Sequence, residues 1–373
     1  MNTSCDIAII GGGVIGLSCA WRLAQAGAKV HLYEEGEVGR GASWAAAGML
    51  AAQVEAAVHP SHQAEDSGRS AFFDLCLQSR ALYASFAQEL LEATGIDIEL
   101  SLKDAPTSDW RTPGILYVGE NDDEAFREFE KQREAGKRVE LREGHARWLP
   151  EEGQVKNRKL VAALKAAAKT AGAKIHEYCP VFGVHHKNLV TKNGVWRYEK
   201  FLISSGASGR QLEGVEEACL PPVHPVSGEM LAARASKPLD HIIYSRDAYL
   251  VPRRDGRILI GATMQFLQPH NKTTRAARDF LLRAAQRLMP NLRFEIEDHW
   301  AGLRPATPDN LPILGRTSIE NLFVATGHFR NGILLTPITA QLMTDCILND
   351  VAPPQEFSLQ RFAKGVLAPC ASN

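Results

Sequence analysis

Ile7-Ala8-Ile9-Ile10-Gly11-Gly12-Gly13-Val14-Ile15-Gly16 decides the fold. Four apolar residues run without a polar break and end in three glycines. Alone, the run suits a strand or a helix; the glycine turn after it favours a buried parallel strand. From Val14 to Ala26 apolar residues recur at helical spacing (Leu17, Ala20, Leu23, Ala24), and Gly27 supplies a stop. Lys29-Val30-His31-Leu32-Tyr33 then reads as a second strand with Glu34 at its end, completing a βαβ unit. Each glycine of Gly11-x-Gly13-x-x-Gly16 has a physical task. Gly11 permits the tight turn, Gly13 lets backbone reach a pyrophosphate, and Gly16 allows close helix–strand packing. The helix start at Val14 and Ile15 offers free N–H groups to the phosphates. Glu34, 18 residues after Gly16, is placed to accept a hydrogen bond from a ribose hydroxyl. A lone glycine pattern is weak evidence. Strand, turn, helix, strand and terminal acid together point to a bound dinucleotide, and the acid disfavours a 2′-phosphate.

Working outward, the chain of 373 residues exceeds the size at which one hydrophobic core stops growing, so two domains are expected. Lys plus Arg total 42 and Asp plus Glu 43, a balance that argues against nucleic acid as a partner. Seven scattered cysteines with no Cys-x-x-Cys pair read as reduced thiols in a cytoplasmic protein, not a disulfide frame or zinc site. The apolar run Ile7–Ile10 is too short for a signal peptide or membrane span. His59-x-x-His62 and His185-His186 lack the further ligands a metal needs.

Helical patterns are expected over 71–94, 124–135, 159–171, 275–288 and 338–349. Strands are expected over 114–118, 174–178, 201–207, 229–233, 241–244, 249–252, 258–262, 294–303 and 322–328. Glycine-ended apolar strands lie near both termini and in the middle, with antiparallel-looking strands between them. The expected fold class is therefore α/β (α+β overall): a Rossmann-type nucleotide domain built from residues 1–85, 148–215 and 308–373. A substrate domain on a large antiparallel or mixed sheet is expected from 86–147 and 216–307. The small-residue run Gly39-Arg40-Gly41-Ala42-Ser43-Trp44-Ala45-Ala46-Ala47-Gly48-Met49-Leu50 lets backbone approach something flat or crowded. With the glycine-ended strand near the C-terminus, that run favours FAD over NAD. The segment Ala52 to Arg69 is a candidate lid.

Three blocks carry a family resemblance: Trp44 to Leu50, Gly302-Leu303-Arg304-Pro305 with Asp309, and Gly327-His328-Phe329-Arg330-Asn331-Gly332-Ile333. With Tyr249-Leu250-Val251-Pro252-Arg253 they resemble the D-amino-acid oxidase superfamily of flavoproteins, and within it the glycine oxidase branch of thiamine biosynthesis. The resemblance runs from about residue 6 to 349. It implies that Arg304 clamps a substrate carboxylate with its planar fork and that Arg330 is a second active-site arginine. Tyr249 and Met264 would line the substrate pocket. FAD contacts fall on Glu34 and Glu35, on Ala42, Ser43, Ala47, Gly48 and Met49, and on Val181. His328, Phe329, Arg330, Asn331, Gly332, Ile333 and Leu334 would face the isoalloxazine, with a helix N-terminus near Gly332. A flavin-attaching cysteine is absent around residues 300 to 315, so non-covalent FAD is expected.

The implied reaction is oxidative deamination of glycine, sarcosine and small D-amino acids to a 2-oxo acid, ammonia and peroxide. Partners would be the amino acid, dioxygen and a thiazole synthase receiving the imine, in a homo-oligomer. The alternatives are a quinone-linked dehydrogenase for D-, N-methyl or cyclic amino acids, and a flavin-binding module without amine chemistry.

Overall fold

The computed structural model describes residues 6–59, 66–105, 112–120, 123–142, 145–208 and 212–362. Its first sheet has six strands in the order Ile313–Arg316, Leu322–Thr326, Lys200–Ile203, Asp6–Ile10, Lys29–Tyr33 and Lys174–His176. All neighbours run parallel except the antiparallel edge pair Ile313–Arg316 with Leu322–Thr326. Asp6–Ile10 sits inside this sheet, and Ile7, Ala8 and Ile9 are fully buried. A strand covered on both faces has no need of alternation, which is why its sequence is continuously apolar. The helices Val14–Gln25, Asn157–Thr170, Thr336–Asn349 and Asp66–Thr94 pack over one face. A three-stranded sheet, Val181–His185, Asn188–Thr191 and Gly194–Arg197, covers the other.

The second sheet has eight strands, in the order Phe294–Ala306, His224–Ala235, Arg257–Gly261, Tyr249–Pro252, Ile242–Tyr244, Ile115–Val118, Ala146–Leu149 and Glu140–Arg142. It is mixed: Ile242–Tyr244 pairs parallel with Ile115–Val118, and the other pairs are antiparallel. The helices Ala52–Val58 and Glu124–Glu134 pack on each other, and the sheet face beside Ala52–Val58 carries Tyr117, Tyr244 and Tyr249. The amphipathic helix Arg275–Leu288 buries Leu281 and Ala285 against the opposite face. Its N-cap is Thr274, whose hydroxyl accepts a hydrogen bond from the Ala277 N–H.

Several elements differ from the sequence expectation. The helix expected from 71 begins at Asp66 and runs unbroken to Thr94, across residue 85. Residues 52–58 of the candidate lid form a buried helix; residues 60–65 of it lie outside the described chain. The strand expected to end at Leu303 continues to Ala306, so Arg304 is a strand residue paired with Val226. The last long helix begins at Thr336, not near Gly332.

Candidate active site

One continuous cavity runs from the glycine turn at Gly11 to Arg330. At its outer end the turn leaves no room for side chains. A Cβ on Gly16 would sit 2.0 Å from the Gly11 carbonyl oxygen, and one on Gly12 would sit 2.9 Å from Val38 Cγ2. Gly11 has φ +108°, open to glycine and strained for any other residue. The result is a bare backbone cradle at a helix N-terminus, lined by Gly13, Val14 and Ile15. The Val14 N–H, expected to be free, instead donates to Ser43 Oγ at 3.0 Å, so at this point the serine hydroxyl takes the place of the bare N–H at the helix start. Glu34 accepts hydrogen bonds from the Gly12 N–H (2.8 Å) and the Gly36 N–H (3.0 Å), one on each oxygen. Each oxygen keeps a lone pair for a ribose hydroxyl. Glu35 lines the same end, and Val181 lies in an adjoining cavity that also includes Glu34 and Glu35.

The middle of the cavity is walled by the turn at Ala42, Ser43, Ala47, Gly48 and Met49. This turn is held from behind. Asn157 Nδ2 donates to the carbonyls of Ser43 and Trp44, both at 2.9 Å. The buried Arg253 guanidinium donates to Gln154 Oε1 and the Val155 carbonyl, both at 3.0 Å, and to the Ala47 carbonyl. Trp300 Nε1 donates to the Ala45 carbonyl at 3.0 Å. A Cβ on Gly48, φ +76°, would meet the Val155 carbonyl at 2.1 Å. The small residues are thus required twice, for the cavity wall and for the packing behind it.

The inner end collects the charged groups. Arg304 projects from its strand over Gly228, and its Nη1 donates to the Thr263 carbonyl at 3.2 Å. Burial lowers its pKa and the neighbouring Arg330 lowers it further, so the site carries stored positive charge. Tyr249 begins the strand opposite, and a Cβ on Gly261 would meet its ring at 2.5 Å. Burial pushes the Tyr249 hydroxyl up, and it stays protonated.

Arg330 follows the left-handed residue Phe329 (φ +46°), whose N–H donates to the Pro305 carbonyl at 2.9 Å. Arg330 Nε donates to Glu55 Oε2 at 2.7 Å, and its Nη2 donates to Glu55 Oε1 at 3.0 Å and to the Tyr244 hydroxyl at 2.9 Å. The Tyr244 hydroxyl donates to Glu55 Oε1 at 2.8 Å. Burial pushes the Glu55 carboxyl up, but the Arg330 charge and hydrogen bonds outweigh it and hold it at about 2. Met264 is 40% exposed, its Sδ 4.0 Å from Arg330 Nη1.

His328, Phe329, Asn331, Gly332 and Ile333 line the cavity, whereas Leu334 is buried behind it with its carbonyl accepting from Ser79 Oγ at 2.6 Å. His328 is no base. Burial lowers it to about 3, and its Nε2 is 3.0 Å from Thr339 Oγ1.

The structure thus brings the two arginines and Tyr249 together and sets Met264 beside Arg330. It adds Glu55, Tyr244 and Gly228, which the sequence reading did not single out. A signal existed for two of them. Glu55, with Gln53, interrupts the otherwise apolar stretch Ala51 to Val58, and a buried acid needs a partner. Gly228 interrupts a strand, a sign of close approach by a neighbour.

A bare backbone turn at a strand–helix junction, an acid at the end of the second strand and a cavity that ends in charged groups define a dinucleotide-binding oxidoreductase class. Among the described residues no His/Cys/Asp/Glu group could hold a metal, and no cysteine lines the cavity. The chain belongs to the FAD dependent oxidoreductase family (DAO), which matches residues 6–346. Over 388 residues it is 36% identical to the glycine oxidase of Geobacillus kaustophilus, covering 95% of this chain and 97% of that protein. The crystal structure of glycine oxidase from Geobacillus kaustophilus superposes with a TM-score of 0.83 at 34% identity, over 95% of this chain and 98% of that one. The bifunctional protein ThiO/ThiG of Synechocystis is also 36% identical over 97% of this chain, which spans 55% of that protein's length.

Proposed function

We propose that the protein is an amino-acid oxidase that takes glycine and similarly small amines, with FAD along the cavity and the substrate carboxylate on Arg304. The observation that carries this reading is the half-buried Arg304 fork facing a pocket closed by Tyr249 and the Arg330–Glu55 pair. The relatives' names support glycine as substrate. Bound FAD supplies a two-electron hydride acceptor that dioxygen regenerates. The chain's own residues bind and orient. Arg304 anchors the carboxylate through two parallel charge-assisted hydrogen bonds, which fixes where Cα lies. Tyr249 bounds the space beside Cα and so limits side-chain size, while Met264, which does not line the cavity, stands exposed beside Arg330. The Met230 Sδ lies 3.8 Å from the Tyr249 hydroxyl, a soft backing that keeps the ring in place.

No described side chain at the inner end is poised to take a proton from the substrate ammonium. Glu55 is held as a carboxylate by Arg330, the tyrosines stay protonated, His328 is turned to Thr339, and burial lowers His59 to about 3, too weak a base for an ammonium. The amine therefore reacts as the neutral form drawn from solution. Glycine, water and dioxygen yield glyoxylate, ammonia and hydrogen peroxide. The match to a bifunctional ThiO/ThiG protein supports onward use of the glycine imine by a thiazole-forming enzyme.

The test is anaerobic mixing of the holoenzyme with glycine, sarcosine, D-alanine and D-proline while following flavin absorbance, then peroxide release in air. Fast bleaching by glycine with stoichiometric peroxide is expected. Reduction without reoxidation by air would move the protein to the quinone-linked class.

A further inference from the structure

The inner pocket holds two arginines for a substrate with one carboxylate. Among its described charged groups are Arg304, Arg330 and Glu55; burial and the neighbouring Arg330 charge lower His59 to about 3, so it is neutral. Arg330 and Glu55 are both nearly buried, with side-chain exposures of 10% and 9%. Glu55 occupies the Nε and Nη2 edge of Arg330, and the Tyr244 hydroxyl shares Nη2, which leaves Nη1 facing Met264 Sδ. The pocket is thereby reduced from two uncompensated positive charges to one. A single substrate carboxylate on Arg304 then neutralises it, whereas a second carboxylate would meet Glu55 with no free positive partner.

We infer that Glu55 is a specificity-determining residue: by neutralising Arg330 it restricts the pocket to monocarboxylates and excludes amines that carry a second carboxylate. This inference rests on the proposal that the pocket binds an amino-acid carboxylate through Arg304. The role of Glu55 is electrostatic and positional, through Arg330, and it takes no proton from the substrate.

Two variants and one ligand pair test it. In Glu55→Gln the amide cannot match both donors of Arg330, and the pocket regains its second charge. The ratio of kcat/KM for iminodiacetate to that for glycine is expected to rise about tenfold or more. In the neutral pair Glu55→Gln/Arg330→Gln, Arg304 is again the one uncompensated charge, and the ratio is expected to return close to wild type. A structural role for Glu55 alone would depress both substrates together and leave the ratio flat in both variants. That flat ratio overturns the inference. Should Glu55→Gln fail to fold with FAD, the wild-type holoenzyme decides through flavin absorbance shifts. Glycolate is expected to bind about tenfold or more tightly than malonate, and equal affinities overturn the inference. A wild-type flavin that glycine fails to reduce would instead defeat the proposed function, a distinguishable outcome.

Discussion

Gly228→Ala moves the Arg304 guanidinium, the proposed carboxylate clamp, without removing it. Gly228 lies in the extended strand His224–Ala235, opposite Gly302, and alanine is conformationally at home there. The three atoms nearest an added Cβ are all in the Arg304 guanidinium: Nη1 at 2.2 Å, Nη2 at 2.4 Å and Cζ at 2.5 Å. Ordinary van der Waals contact begins at 3.4 Å, so the fork must retreat by about 1.2 Å. It is the far end of a flexible side chain, so the sheet is spared. A misplacement of about 1 Å in a positioning group costs roughly 100-fold in rate, or about 2.7 kcal/mol of transition-state stabilisation. The variant is therefore expected to purify with its full complement of FAD and an unchanged melting temperature. Its kcat/KM for glycine, from anaerobic rapid mixing, is expected to fall about 100-fold, and glycolate affinity should fall with it. Arg304→Ala sets the floor, since it removes the proposed clamp altogether. A Gly228→Ala enzyme within about threefold of wild type, or one that loses its flavin, would refute the placement of the clamp.

Other expected outcomes separate the supports of the site. Gly16→Ala drives a Cβ to 2.0 Å from the Gly11 carbonyl oxygen, so FAD should dissociate readily on gel filtration, whereas retention at wild-type stoichiometry would contradict the close-packing role. Arg253→Leu strands the Ala47 and Val155 carbonyls and Gln154, at about 1–3 kcal/mol per buried acceptor, and should lower the melting temperature by several degrees. An unchanged melt would show that these carbonyls find other donors.

His328 has a folded pKa depressed to about 3 against an ordinary 6.5, so the unfolded chain binds the extra proton between those values. Its contribution is complete above pH 6.5 and is lost as pH falls toward 3. At pH 5 the loss is roughly 2 kcal/mol. The glutamine variant, whose side chain can still reach Thr339, should show a smaller drop in urea stability between pH 7 and pH 5 than wild type. Equal drops would mean that His328 is not buried as a neutral ring.

What could be read in the sequence was what the chain encodes locally. The first strand, the glycine turn, its helix and Glu34 span Asp6 to Glu34, where strand periodicity, turn chemistry and a terminal acid reinforce one another. The small-residue run 39–50 was equally legible, because only backbone crowding explains so many missing side chains. The arginines were legible through resemblance alone. Composition and spacing say nothing of Leu303-Arg304-Pro305, and its placement inside a strand became clear only from the pairing of Arg304 with Val226. The helix Ala52–Val58 opens the segment Ala52 to Arg69, which contains His59-Pro60 and reads as a candidate lid. Its burial follows from contacts with residues far along the chain, including Gln132, Arg80 and Arg330. No local pattern records those partners.

Glu55 is the sharpest case, because its function exists only in the fold. Its partner Arg330 is 275 residues away, carried on the turn that leaves the parallel sheet, while Tyr244 comes from the mixed sheet. Three segments with separate structural origins meet in one ion pair that borders the substrate space. A buried pair of this kind contributes little net stability, since desolvation of both groups offsets their attraction. Selection for stability alone would be satisfied as well by apolar residues of similar volume. What an apolar replacement could not supply is a fixed count of charges beside the clamp. The pair holds Arg330 in one orientation with its charge cancelled, and leaves Arg304 as the single unmatched cation among the described charged groups of the inner pocket. By the inference drawn above, selectivity rests on Glu55 acting through Arg330, and it should change when the charge of Glu55 changes, even where the shape of its side chain is preserved.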